Sequence, residues 1–185
     1  MRLGQNITPS FSTAIESGDL YEAYIFSLII RAALNEGSVP EQGGALNFRD
    51  PDDNDTTTLL FRRSPGQIYA ATQPYTHAVI EFAGKPPLEV HVGIKAMGRL
   101  KVARECDVAV LYREKAIACR AQNRIPKASD ILLAIECKHI EELDLDIGSE
   151  FLGLTSDLRV KEAWFFVSSG ASDGVARMLA NARKE

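Results

Sequence analysis

Cysteine is scarce in this chain of 185 residues: Cys106, Cys119 and Cys137 are the only three, and no C-x-x-C pair occurs. That spacing argues against a zinc site, and thiols inside apolar runs fit a reducing compartment. Long apolar runs are missing too. The longest near the start, within YEAYIFSLIIRAAL, is interrupted by Glu22 and Arg31 and is too short to span a bilayer. No basic segment leads into a signal-like stretch, so the expected location is the cytoplasm, with no membrane contact. Neither a P-loop nor a G-x-G-x-x-G is present, which leaves nucleotide-driven chemistry without support. No internal repeat or low-complexity tract appears.

One tempting motif fails through another absence. Gly170, Ser172 and Gly174 match G-x-S-x-G between an expected strand and an expected helix, as a nucleophile elbow would. That chemistry needs a histidine downstream, and His77, His91 and His139 all lie upstream. Ser172 is better read as a helix N-cap. A calcium loop is excluded as well: after Asp50, Asp52 and Asn54 the required glycine is Asp55, and the twelfth position is Phe61.

What remains is ordinary globular composition, 45% hydrophobic and 25% charged, at a length suited to one domain. The net charge of −4 hides a division. Residues 91–127 carry nine Lys/Arg against three Asp/Glu, while the segments before and after each carry six against eleven. A basic block inside an acidic chain is either the outer face of a solvated helix or a face for a polyanion.

Periodicity predicts a leading helix over 11–37, ended by Gly37 and packed through Leu20, Tyr24, Ile25, Leu28 and Ile29. Residues 36–56 read as a long surface loop. TLLFRR, QIYAAT, HAVIEF, LEVHVGIKA and KVARECDVAVLY read as strands separated by turn signals. REKAIACRAQN reads as a helix, ILLAIECKHI as a strand and GSEFLGLTSDL as a helix capped by Ser149. EAWFFVSS and a closing helix follow. The fold class expected is α/β, a mixed β-sheet flanked by helices.

The strand ILLAIECKHI poses the functional question. Burying unpaired charge costs several kcal/mol or more, roughly, so Glu136 and Lys138 at its end need a reason. Alternation puts both on one face and Cys137 on the other. The preceding strand has a matching intrusion, Asp107 ahead of Val108–Leu111, with Glu105 on the face of Asp107. Carboxylates gathered at neighbouring strand ends repel one another, and an ammonium or a divalent cation resolves the conflict. Hard oxygen donors of this kind suit Mg²⁺. The structural alternative is an ion-pair cluster at a strand end.

Asp107 followed by Glu136-Cys137-Lys138 on the next strand resembles the active-site signature of the PD-(D/E)xK nuclease superfamily, the restriction endonuclease-like fold. The resemblance covers about Leu88 to the C-terminus plus the first helix; 36–87 lies outside it as loop and hairpin elaboration. It departs at Cys106, where proline is usual, and in the length of the insertion Arg113–Asp130. The resemblance implies that Asp107 and Glu136, with the Cys137 carbonyl, hold Mg²⁺ or Mn²⁺. Lys138 would orient or deprotonate the attacking water, and Glu22 matches a helix carboxylate that completes such sites. His139 and Glu150 have plainer readings, as a strand-end histidine and a capping glutamate. DNA is the expected substrate, and Lys95, Arg99, Lys101, Arg104, Arg120 and Arg124 are the expected phosphate contacts, within a block that also holds Arg113, Lys115 and Lys127. With no sequence-reading module visible, targeting is expected from a protein partner or self-assembly, as in a prokaryotic defence or DNA-processing complex. The alternative is a catalytically inactive module of the same fold that binds nucleic acid or assembles a complex.

Overall fold

The computed structural model describes residues 8–9, 17–62, 64–70, 74–170 and 172–182. In chain order these form β1 (Thr8–Pro9), α1 (Ser17–Asn35), β2 (Ala45–Arg49), β3 (Thr58–Leu59), β4 (His77–Glu81), β5 (Leu88–Met97) and β6 (Ala103–Tyr112). Then come α2 (Arg113–Ala121), β7 (Ile131–Lys138), α3 (Leu145–Asp157), β8 (Ala163–Ser168) and α4 (Asp173–Ala182). Six strands make one sheet in the order β2-β4-β5-β6-β7-β8. Every neighbouring pair is antiparallel except β7 and β8, which are parallel and joined by the crossover helix α3. β1 and β3 make a separate short parallel pair. The fold is therefore α/β with a mixed sheet flanked by helices.

Two apolar layers sandwich the sheet. On one face α1 buries Ile25, Phe26, Ile30 and Ala33 against Ala78, Ile80, Val90, Val92, Val108, Ile135 and Cys137. On the other, Ala116 and Cys119 of α2 and Leu158 after α3 pack on Ile94, Ala109, Leu111, Ile131 and Ala134. The central strands are covered on both sides, which is why they read as near-continuous apolar runs.

Several expectations need correction. Leu20 and Tyr24 are exposed, so the buried stripe of α1 is rotated toward Phe26 and Ile30. The helix is apolar around much of its circumference, and spacing alone selects no single stripe. Gly37 does terminate it, at φ 102°. Ser38 N–H donates to Ala33 O and Gly37 N–H to Leu34 O, the Schellman pattern that needs a left-handed residue. The stretch 36–56 is no mere loop: Ala45–Arg49 adds an edge strand to the sheet. Of TLLFRR only Thr58–Leu59 is a strand, and the described part of QIYAAT is irregular; residues 63 and 71–73 lie outside the described set, as does the expected helical stretch 11–16. The cap of α3 is Asp144, whose Oδ1 accepts the Ile147 N–H at 2.9 Å, and Ser149 lies inside the helix. Ser172 caps α4 as expected, accepting the Val175 N–H.

Candidate active site

The functional geometry begins with where two strands part. The β6–β7 ladder runs through Val110–Leu133, Ala109–Ala134 and Val108–Ile135, and stops there. Past that rung β6 stays paired with β5 out to Met97–Ala103, and β7 stays paired with β8 out to Lys138–Ser168. The sheet forks, and the next residues in register at the mouth of the fork are Asp107 and Glu136.

Gly93, the residue of β5 in register with Asp107, has φ 61°, a conformation a side chain would strain. Around it the strands exchange faces. Val90, Val92 and Val108 pack on the α1 side, whereas Ile94, Ala96 and Cys106 pack on the α2–α3 side. Asp107 therefore sits at a twist. Its Oδ2 accepts the Cys137 N–H at 2.7 Å, taking the place of a ladder bond and tying the two arms together.

The other expected residues gather here. Glu136 and Lys138 share a face, with Lys138 Nζ 2.6 Å from Glu136 Oε1. Cys137 points the opposite way, into the α1 layer. A cleft of about 450 Å³ opens over Glu136 and Lys138, lined also by Arg104 of β6 and by Ile147, Glu150 and Phe151 of α3. Glu150 lies beyond the first turn of α3, so it is a wall residue of the cleft and no cap. Glu22 approaches from α1, half-buried. His139 is exposed, its ring 5.4 Å from that of Tyr21, in keeping with a strand-end histidine.

Electrostatics mark the fork as short of positive charge. Burial pushes the Asp107 carboxyl up to about 7, and Glu136 and Glu105 add to the shift against the Cys137 amide and Lys138. Burial, then Asp107, Glu105, Asp19 and Glu136, push Glu22 up to about 8. Lys138 goes the other way from a buried amine: burial favours the neutral form, but the Glu136 hydrogen bond and the charges of Glu136, Asp107 and Glu150 outweigh it and raise the pKa. Glu22, Asp107 and Glu136 repel one another without converging into a trio of donors within 4.8 Å; among the described residues that spacing occurs only at Asp53, His77 and Glu89.

The basic block divides. Arg99 and Lys101 are exposed at the β5–β6 turn, Lys95 is partly exposed on β5, and Arg104 lines the cleft while its Nε donates to Asp157 at 2.8 Å. Arg124 donates to Asp130 at 2.9 Å. Arg120 leaves the expected phosphate-contact set: both its terminal nitrogens donate to the fully buried Glu89, at 2.8 and 2.7 Å.

Glu89 belongs to a second polar cluster that sequence reasoning missed. His91 Nε2 is 3.0 Å from Glu89 Oε2, His77 stacks on His91 with ring centroids 4.9 Å apart, and Arg113 pairs with Asp53. The signal was present, since Glu89 and His91 alternate inside an apolar strand as Glu136 and Lys138 do. Their partners come from the turn Asp50–Asn54, from β4 and from α2, which the spacing within β5 does not reveal.

No protein-family model, curated protein or solved structure matches this chain.

Proposed function

We propose that the fork is the active site of a metal-dependent nuclease of restriction endonuclease-like architecture, hydrolysing phosphodiester bonds of DNA with Mg²⁺ or Mn²⁺. The observation that carries this reading is the placement of Asp107 and Glu136 on either side of the point where β6 and β7 part, with Lys138 beside them and two acids raised into the neutral range. A structural ion-pair cluster would balance its charges; here Lys138 pairs with Glu136, while burial and neighbouring carboxylates raise Asp107 and Glu22.

The donor set fits a hard cation. Asp107, Glu136 and the Cys137 carbonyl offer oxygen atoms, and their excess negative charge is what a divalent ion offsets. When bound, such an ion supplies Lewis acidity toward a phosphate oxygen and lowers the pKa of an attacking water. The chain's own groups do the rest. Lys138 is held as an ammonium, so its part is to donate hydrogen bonds and offset charge developing on the phosphoryl oxygens, which makes it a poor candidate for a base. Glu22 holds a proton near neutrality in the metal-free chain. Arg104, in the cleft wall, and Arg99 and Lys101, exposed on the β5–β6 turn, would supply the phosphate contacts. Targeting by a protein partner or by self-assembly belongs to the same reading, as does a place in a prokaryotic defence or DNA-processing complex.

The test is cleavage of duplex and single-stranded DNA with Mg²⁺ or Mn²⁺, comparing the native chain with Asp107→Asn, Glu136→Gln and Lys138→Ala. Metal-dependent cleavage lost in the two carboxylate variants supports the reading. DNA binding without cleavage, indifferent to metal and to these variants, would return the chain to the inactive-module alternative.

A further inference from the structure

Four side-chain atoms of the second cluster have no hydrogen-bond partner: Asp53 Oδ1, both ring nitrogens of His77, and His91 Nδ1. Arg120 and His91 account for Glu89, and Arg113 for Asp53 Oδ2. His77 has no exposed side-chain surface, yet its Nε2 has no hydrogen-bond partner, and neither does the buried Asp53 Oδ1. These two atoms are 3.8 Å apart, and His77 Nε2 is 3.6 Å from Glu89 Oε2. Leaving a buried polar atom unpaired costs about 1–3 kcal/mol, so a group that both His77 Nε2 and Asp53 Oδ1 can bind would be stabilised here.

The spacing discriminates between candidates. Direct hydrogen bonds need about 2.7–3.2 Å, which these separations exceed. A bridging water with two bonds of about 2.8 Å at a tetrahedral angle holds its partners about 4.5 Å apart, which is too wide. A cation about 2.0–2.2 Å from each donor, at angles from tetrahedral to trigonal, holds them about 3.3–3.8 Å apart. All three donor atoms, Asp53 Oδ1, His77 Nε2 and Glu89 Oε2, lie within 4.8 Å of one another.

We infer that Asp53, His77 and Glu89 form a buried transition-metal site of the Zn²⁺ class, distinct from the nuclease site proposed at the fork. Charge chooses the metal. Arg113 and Arg120 already offset both carboxylates, so net charge attracts no cation here, and binding depends on the imidazole lone pair. That excludes Mg²⁺ and Ca²⁺ and favours late first-row ions. The scarcity of cysteine argued against zinc in the sequence, but this donor set uses none. Its role is structural: Asp53, at φ 68° in the tight turn Asp50–Asn54, would be clipped onto β4 and β5 through His77 and Glu89.

The site is separable from the fork by working in the full chain carrying Asp107→Asn and Glu136→Gln. After chelation and dialysis, that parent is titrated with Zn²⁺ by calorimetry and with Co²⁺ by visible absorption, and its melting is followed with each ion. The expected result is one equivalent of Zn²⁺, a higher melting temperature, d–d bands of low-coordinate N/O-ligated Co²⁺, and no such response to Mg²⁺. Adding Asp53→Asn or His77→Gln should weaken Zn²⁺ binding by about tenfold or more. Asp53 is partly exposed on a turn, so its variant decides the matter even where His77→Gln fails to fold. Absence of Zn²⁺ binding in the parent, or equal affinity in the parent and Asp53→Asn, overturns the proposal.

Discussion

The fork and the Glu89 cluster are both charged intrusions into apolar strands of one sheet, yet they solve the problem of buried charge in opposite ways. At Glu89, burial alone would raise the carboxyl, but two Arg120 hydrogen bonds and the neighbouring histidines hold it well below the usual range. At the fork, burial and like charges raise Asp107 to about 7 and Glu22 to about 8, with Lys138 the cation paired to Glu136. A carboxylate whose charge is offset by an arginine holds a fold together. Carboxylates left crowded beside an open cleft store the repulsion that a bound cation relieves, and this is the stronger sign of chemistry.

The largest effect that could break this comparison is on stability. Arg120→Met strands Glu89 in the core and should destabilise the chain by about 3–5 kcal/mol in denaturant unfolding, whereas Lys138→Ala, at a site partly open to water, should cost far less. Equal losses would erase the distinction between the clusters. Next is rate. Lys138→Ala should keep metal binding and lose about 10²-fold in cleavage, as for removal of one donor to transition-state charge, measured under single-turnover conditions.

A third prediction follows from the signs of the pKa shifts. Asp107 and Glu22 are raised on folding, so between about pH 4 and 8 the native state binds more protons than the unfolded chain, and stability falls as pH rises through that window. The metal-free melting temperature should therefore drop from pH 5 to pH 8, and the drop should shrink in Glu22→Gln. Glu89 contributes with the opposite sign: its carboxyl is depressed, so its stabilisation is complete above about pH 4.3, its unfolded value, and is lost on acidification below it. The smallest effect concerns the basic rim. Replacing Arg99 and Lys101 with alanine should flatten the salt dependence of DNA binding by about one unit per lost phosphate contact, while Arg124→Ala, whose side chain is tied to Asp130, should change it less.

Much of this was legible in the sequence. The strands from His77 to Tyr112, the strand Ile131–Lys138 and the fork residues were marked by apolar runs and by charges that break them, because alternation fixes which side chains share a face. β2 was not legible, since an edge strand with neither face fully buried carries no strong period. Arg120 could not be told from the rest of the basic block, because its partner Glu89 lies 31 positions away and only the packing of α2 on β5 joins them. The buried stripe of α1 was hidden by apolar residues on several of its faces.

The central claim is that the fork carries negative charge a cation is needed to balance, and the most direct measurement is the melting temperature of the native chain and of Asp107→Asn at pH 8, each with and without Mg²⁺. Without metal, Asp107→Asn should melt at or above the native chain, because neutralising a crowded carboxylate relieves repulsion; Mg²⁺ should stabilise the native chain and leave the variant unchanged. A variant that melts well below the native chain, together with a native chain indifferent to Mg²⁺, would contradict the account and leave Asp107 as a structural staple between two strands.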